Sequence, residues 1–380
     1  MVAVLLALLT MVSTQASQGA DATAVRTAVV QLGSFDFPTR TNAARVVRRA
    51  PAALTVPILQ NAVQNSTDEY VQFRALVLLT SIDGQAAATT AAQALSTRND
   101  RVRAVAYQWF EHHPQPDVLP KLLAALSSEQ SEFTRPSLTR ALAASGADPR
   151  VREALTPLVT RGEDIYRGAV IEALGDYEGG YALAPITAVA ELDGPLQDDA
   201  ITALGRIGDA SSRALLARLQ ERVAREMQPT VSAALCLQGI DCDARLAYLT
   251  STLDFAASNP GYEALLRGAV HGLAVLASSG NEKAMAALFD IGVRVKESAR
   301  GPIALGVGLV ALRRAEVVMT VLAARPDAAP ALELLRDAFD MLSEDFEEER
   351  FAFEVRKMLA APAGDARRRL AERVLTELEY

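Results

Sequence analysis

One helical stripe recurs along this chain about every 31 residues, and a repeat of that length constrains the fold more than any other feature. Its central apolar residue falls at Val47, Leu79, Phe110, Leu142, Leu174, Leu204 and Leu235, and continues with wider spacing at Leu273 and Leu309. Four residues before each stands a second apolar residue: Ala43, Ala75, Ala106, Leu138, Val170, Ala200, Val231, Ala269 and Leu305. Residues i and i+4 share one face of an α-helix, so all these segments offer an apolar seam in the same phase. A single short unit cannot bury such a seam, whereas stacked units can, and 380 residues suffice for an elongated array.

Composition agrees with helices. Half the residues are apolar but only 5% are aromatic, so the core is made of Ala, Leu and Val, which suits closely packed helices rather than sheets. The net charge of −8 has the wrong sign for neutralising a phosphate backbone, which excludes nucleic acid as a partner.

One turn before the seam comes an Arg or Gln, at Arg40, Gln72, Arg103, Arg135, Arg167, Gln197 and Gln228. In four units an acid precedes it by three residues: Glu69, Asp100, Glu132 and Asp164. A carboxylate there faces the positive end of the helix dipole and can pair with a cation one turn on. The Arg and Gln row reads as a structural ladder of hydrogen bonds to adjacent loops. Each helix ends near a breaker, such as Asp83-Gly84, His113-Pro114, Ser145-Gly146, Gly179-Gly180 and Gly208-Asp209, and a shorter apolar helix follows. Pro57, Pro120 and Pro185 are expected in the first turns of these shorter helices, where a missing N–H costs nothing.

The pattern acid-x-x-Arg-x-x-Ala-x-x-x-Leu, followed by Gly-x-Ile-Gly-Asp as in residues 199–209, resembles the HEAT-like repeat class that includes the phycobilisome-lyase-type repeats. The likeness covers residues 25–255 well and 256–325 loosely. It implies an all-α fold, an α-solenoid or superhelix of helix pairs. Family members include scaffolds, adaptors and a small group of bilin lyases, so the resemblance is specific for fold and weak for function.

Residues 1–20 read as a signal peptide, with an apolar run from Met1 to Met11 and small residues at Ala16, Ser17, Gly19 and Ala20. The expected location is therefore periplasmic, cell-surface or secreted, with no membrane span after signal removal. The repeat array is expected over residues 21–325 and a helical cap over 326–380. In that cap Glu344, Asp345, Glu347, Glu348 and Glu349 crowd one stretch and Arg367, Arg368 and Arg369 open the last helix. Charge runs of this kind are expected to be solvated or paired with each other.

Catalytic signals are sparse. The chain has three His residues; His112 and His113 are adjacent, point in different directions and make a poor metal pair, and His271 sits inside a repeat helix. No nucleophile elbow, zinc-protease motif, P-loop or dinucleotide fingerprint is present. Asp198-Asp199 is expected to cap a helix. No catalytic residue, metal or cofactor is assigned. Cys236 and Cys242 flank the turn at Gly239 and are expected to form a disulfide that staples it, or else to remain two buried thiols.

The expected function is a non-enzymatic protein–protein interaction scaffold or adaptor whose partner is a protein or peptide. Arg103, Tyr107, Arg135, Tyr166 and Arg167 form the candidate binding face along the concave side. The alternative is a bilin-lyase-like or other cofactor- or small-ligand-handling HEAT-repeat protein.

Overall fold

A computed structural model of the protein describes residues 22–342, 345–360 and 364–380. The leader expected over residues 1–20 lies outside them. Among the described residues every regular element is helical, and the fold is an all-α solenoid of HEAT-like helix pairs. The chain forms two compact units, one running to Trp109 with Tyr380, the other from Phe110 to Glu379.

The first unit contains α1 (22–31), α2 (Phe37–Arg49), α3 (Ala52–Asn65), α4 (Glu69–Ile82), α5 (Gly84–Ala94) and most of α6 (Asp100–His112). Aspartates start its helices. Asp36, Asp68 and Asp83 accept hydrogen bonds from the backbone N–H groups of Thr39, Tyr70 and Ala86, satisfying donors that have no partner within the helix. Asp83 is the only residue between α4 and α5, so the expected Asp-Gly breaker is a one-residue corner. Pro57 departs from expectation: α3 begins at Ala52, and Pro57 stands inside it. Repeats are tied by side chains, with Gln64 donating to Gln93 at 2.9 Å and Asn99 donating to the Glu69 carbonyl at 2.9 Å and to Gln72 at 3.0 Å.

The second unit continues with α7 (Leu119–Ser128), α8 (Thr134–Ala143), α9 (Pro149–Leu155), α10 (Asp164–Asp176), α11 (Leu183–Ala190), α12 (Gln197–Ile207), α13 (Arg213–Arg222) and α14 (Gln228–Leu237). It ends with α15 (Cys242–Ser258), α16 (Glu263–Ser278), α17 (Glu282–Gly292), α18 (Glu297–Arg313), α19 (Ala315–Ala323), α20 (Ala329–Met341), α21 (Asp345–Ala360) and α22 (Asp365–Glu377). Helices α8, α10, α12, α14, α16, α18 and α20 form one row in which each packs on the next, and the intervening helices form a second layer. The first row carries the sequence stripe. Leu142, Leu174, Leu204, Leu235 and Leu273 are all 0–1% exposed. Small residues set its spacing: a Cβ on Gly205 of α12 would lie 2.5 Å from the Ala234 Cα of α14, so only glycine admits that approach.

Helix α18 breaks the phase. Leu305 and Leu309, expected on the buried seam, are 40% and 44% exposed, while Ile303, Val307 and Val310 are fully buried. Glycines mark the faces that pack instead: a Cβ on Gly306 would come within 2.5 Å of Val270 on α16, and one on Gly308 within 3.0 Å of Ala338 on α20. The faces bearing these glycines admit the closest approach to the neighbouring helices.

The Arg and Gln row is expected to bond to backbone carbonyls. Five of the seven do so: Arg40, Gln72 and Arg103 donate to the carbonyls of Ser34, Ser66 and Thr97 in the loops before their helices, and Arg167 and Gln197 to those of Val159 and Ala190, the last residues of the preceding helical segments, while Arg135 lies over Tyr166. The paired acid appears at Asp164, which accepts from Arg167 at 2.7 Å. Cys236 at the end of α14 and Cys242 at the start of α15 are joined as a disulfide. The turn it closes contains Gly239 and Asp241, both in the left-handed region at φ 76° and 48°. Near the C-terminus, Glu347 and Glu349 are not part of a solvated acidic face. Glu349 is 1% exposed and accepts from Arg356 at 2.7 Å, because Phe346, Phe351 and Val355 turn this side of α21 into the core.

Candidate functional site

In the second unit, polar side chains from the end of α6 and from α8, α10, α12, α16 and α18 meet on one inner face. Their sequence positions are regular: Arg140, Glu172, Thr202 and His271 stand two residues before the central apolar residue, and His112, Asp176 and Arg206 two residues after it. Positions −2 and +2 are four residues apart and share a face, flanked by the buried seam. The winding is tight enough that residues of non-neighbouring helices touch. Thr202 on α12 is 3.1 Å from the His271 Nε2 on α16, and Asp176 on α10 accepts from Arg313 on α18 at 2.9 Å.

Asp176 is the centre of this network. It accepts from Arg140 at 2.7 Å and is also bonded to Arg206, while Arg313 reaches Glu172 as well. Burial alone would raise the Asp176 carboxyl, but Arg313, Arg206 and Arg140 together hold it below its ordinary value. Arg140 bridges outward to Glu111, which is 4% exposed and accepts from Arg140 Nε at 2.8 Å and from the Tyr177 hydroxyl at 2.8 Å. Burial would lower the Arg140 guanidinium, yet Glu111, Asp176 and Glu172 hold it above its usual value. Burial and then Glu111 raise the Tyr177 phenol, so it stays a neutral donor. These groups match one another's charge and leave little to offer a ligand.

Next to Glu111, His112 is 2.9 Å from Glu347 Oε1 and stacks on Phe346, and Arg350 donates to Glu347 Oε2 at 2.6 Å. Burial would raise Glu347, but the His112 hydrogen bond and Arg350 bring it down to about 2. Glu111, His112 and Glu347 have ligand-type atoms within 4.8 Å of one another, the spacing a metal ion would require. The residues fit a metal poorly: Arg140 and Arg350 already supply positive charge to the two carboxylates.

Asp199, at the start of α12, and His271, on the inner face, are not neutralised in this way. Burial, then Asp198 and Glu172, push the Asp199 carboxyl up to about 7. His271 is open to solvent on one side but crowded by protein on the others, and this desolvation lowers its imidazole despite the pull of Asp198. Asp198 accepts from the Asp199 N–H at 3.0 Å, but the expected capping role is not filled: the N-cap of α12 is Leu196, no side chain caps it, and both aspartates stand inside the first turn, with Asp199 against Gly168 of α10.

The five residues singled out from the sequence do not form a surface. Tyr107 is 1% exposed and lies in the core of the first unit. Tyr166 is 7% exposed, covered by the Arg135 guanidinium 3.8 Å above its ring and bonded to Thr139 at 3.1 Å. Arg103 and Arg167 are spent on backbone carbonyls. Tyr166 is in the first turn of α10 and packs against α8, whereas Tyr107 stands in the third turn of α6 among its buried residues Val105, Ala106 and Phe110.

The architecture is that of an all-α solenoid built of helix pairs. Residues 88–175 match the family described as HEAT repeats. No curated protein matches the chain. Among solved structures, the chain is similar to the complex of CpcE and CpcF of phycocyanin lyase from Nostoc sp. PCC7120, with 15% identity, TM-score 0.42, and 67% of this chain and 94% of that one covered. It is also similar to a mutant of Kap121p, with 11% identity and TM-score 0.45 over 95% of this chain and 50% of that one. A third likeness is to Kap95p in a structure with RanGDP, with 12% identity and TM-score 0.41 over 95% of this chain and 66% of that one. At these identities and TM-scores the likenesses carry neither a partner nor a reaction over to this chain. Among the described residues, no helix is long and apolar enough to cross a membrane.

Proposed function

We propose that this chain is a non-enzymatic scaffold that binds a protein or peptide partner outside the cytoplasm. One observation carries the reading. Phe133 and Ile165 occupy the same position in successive repeats, nine residues before the central apolar residue, and are 87% and 91% exposed. The stacking of Arg135 over Tyr166 places the starts of α8 and α10 side by side. Leu192, 62% exposed, precedes α12 in the next repeat. A repeat edge that leaves large apolar side chains in water, rimmed by Glu132, Glu163, Asp164, Glu191 and Asp193, has the make-up of an interaction surface. The inner face, by contrast, is spent on its own ion pairs. The Cys236–Cys242 disulfide supports export, since such bonds persist in oxidising compartments.

The test is a pull-down with residues 21–380 from an envelope extract under non-reducing conditions, beside the Phe133→Asp/Ile165→Asp variant. A stoichiometric protein held by the wild type and lost by the variant is expected. No partner, or one retained by the variant, would sink this reading.

A second reading, a small-ligand-handling protein, is favoured by Asp199, whose carboxyl burial raises to about 7, and by His271, whose imidazole burial lowers, each close to Glu172 and Asp198. A bound chromophore or small molecule in the same pull-down, lost in Asp199→Asn, would decide for it.

A further inference from the structure

A cavity of about 410 Å³ opens at the corner between α18 and α19, closed on its other side by α21 and the first turn of α22. Its volume falls in the range of small-molecule sites, roughly 300–1,000 Å³. The corner is sharp, because Arg314 alone separates the two helices. Leu312, Phe351 and Met358 provide apolar lining, and Arg313, Arg314, Arg350, Lys357 and Arg367 are on the walls with only Glu316 and Glu354 against them.

The cations differ in whether they are already matched. Arg313 is paired with Asp176 and Glu172, Arg350 with Glu347, and Lys357 with Glu354. Arg350 also donates to the Leu312 carbonyl, which holds one wall in place. Arg314 and Arg367 have no carboxylate partner among the described residues. Arg314 donates one Nε–H to the Ser278 carbonyl at 3.0 Å, and the rest of its guanidinium fork is uncommitted. Glu316 makes an ion pair with neither arginine, although it shares the wall. What distinguishes Arg314 and Arg367 from other exposed arginines is that both line one cavity with an apolar wall.

We propose that this cavity is a binding site for a small free anion with an apolar body, a carboxylate- or phosphate-headed molecule whose head is held by Arg314 and Arg367 and whose tail lies on Leu312, Phe351 and Met358. Guanidiniums bind such heads through paired N–H donors, and the apolar wall supplies the remainder. The site is separate from the exposed repeat edge and stands whether or not the scaffold reading does.

The experiment is isothermal titration calorimetry of residues 21–380 with octyl phosphate below its micelle concentration, beside octyltrimethylammonium. Saturable binding of one octyl phosphate per chain is expected, with no binding of the cationic amphiphile. The Arg314→Gln/Arg367→Gln variant should weaken octyl phosphate at least tenfold with thermal unfolding unchanged, and Met358→Glu should do the same from the apolar side. Absence of saturable binding, equal affinity in the double variant, or equal binding of the cation would overturn the proposal. Vesicles of phosphatidylglycerol separate the sources of such an anion: binding to vesicles with none to free octyl phosphate also overturns it.

Discussion

Helices α12 and α18 occupy equivalent places in the stripe-bearing row, yet they bury opposite selections of their apolar residues. In α12 the repeat leucine, Leu204, is fully buried and Gly205 beside it meets the α14 backbone. In α18 the corresponding Leu309 stands 44% exposed while Gly306 meets α16. Both helices turn a glycine toward the neighbour. In α12 the buried leucine lies beside the glycine that meets α14; in α18 Gly306 faces α16 and Gly308 faces α20, and Leu309, although adjacent to Gly308, is left exposed. In both helices the faces that carry glycine are the ones that pack, because they admit the closest approach.

The largest expected effect tests the closeness itself. Gly205→Leu drives a side chain into the α14 backbone and should cost more than about 3 kcal/mol, or prevent folding, as read by urea unfolding. Arg140→Met tests the ion pairs that hold the inner face of this row. It strands the buried Glu111 and should cost roughly 3–5 kcal/mol, although Tyr177 still donates to that carboxylate. The direct comparison of the two helices is Leu204→Ala against Leu309→Ala. The first should cost about 2–5 kcal/mol by the same measurement and the second no more than about 0.5 kcal/mol. Equal costs would mean the two leucines are equally buried and would erase the contrast.

Removing the disulfide with Cys236→Ser/Cys242→Ser should cost about 2 kcal/mol, because it closes only a short loop. The smallest effect is pH-dependent. The Asp199 carboxyl stands at about 7 in the fold against 3.8 ordinarily, so the native state holds an extra proton between those values. Stability from this group is present below about pH 4 and lost as pH rises through 7. Asp199→Asn should therefore stabilise the protein at pH 8 by about 1–2 kcal/mol, a value reduced for partial solvent screening, and flatten the decline seen from pH 4 to 8. A wild type and variant with parallel pH profiles would show that Asp199 titrates normally.

Much of this architecture was legible in advance. The i, i+4 seam announced the helix row through Leu273, and the Arg and Gln row announced the loop bonds, because both depend on neighbours within one helix or one turn. The inner face was legible in principle and was missed: Arg140, Glu172, Asp176 and Arg206 sit two residues from the central leucine, a position that looks like an ordinary solvated flank until the row curls. The tyrosines were misplaced for a related reason. Tyr107 and Tyr166 look like surface aromatics in a linear reading, but Tyr107 stands among the buried residues of α6 and Tyr166 packs against α8.

The sequence by itself determined that this protein is a stack of helix pairs, since a 31-residue apolar period admits few other ways to bury itself. Only the tertiary structure decided which polar residues meet across the inner face, which leucines stay in water and where a cavity is left at the α18–α19 corner. Those outcomes depend on curvature and on contacts between residues up to 235 positions apart in the chain, distances over which local pattern carries no information.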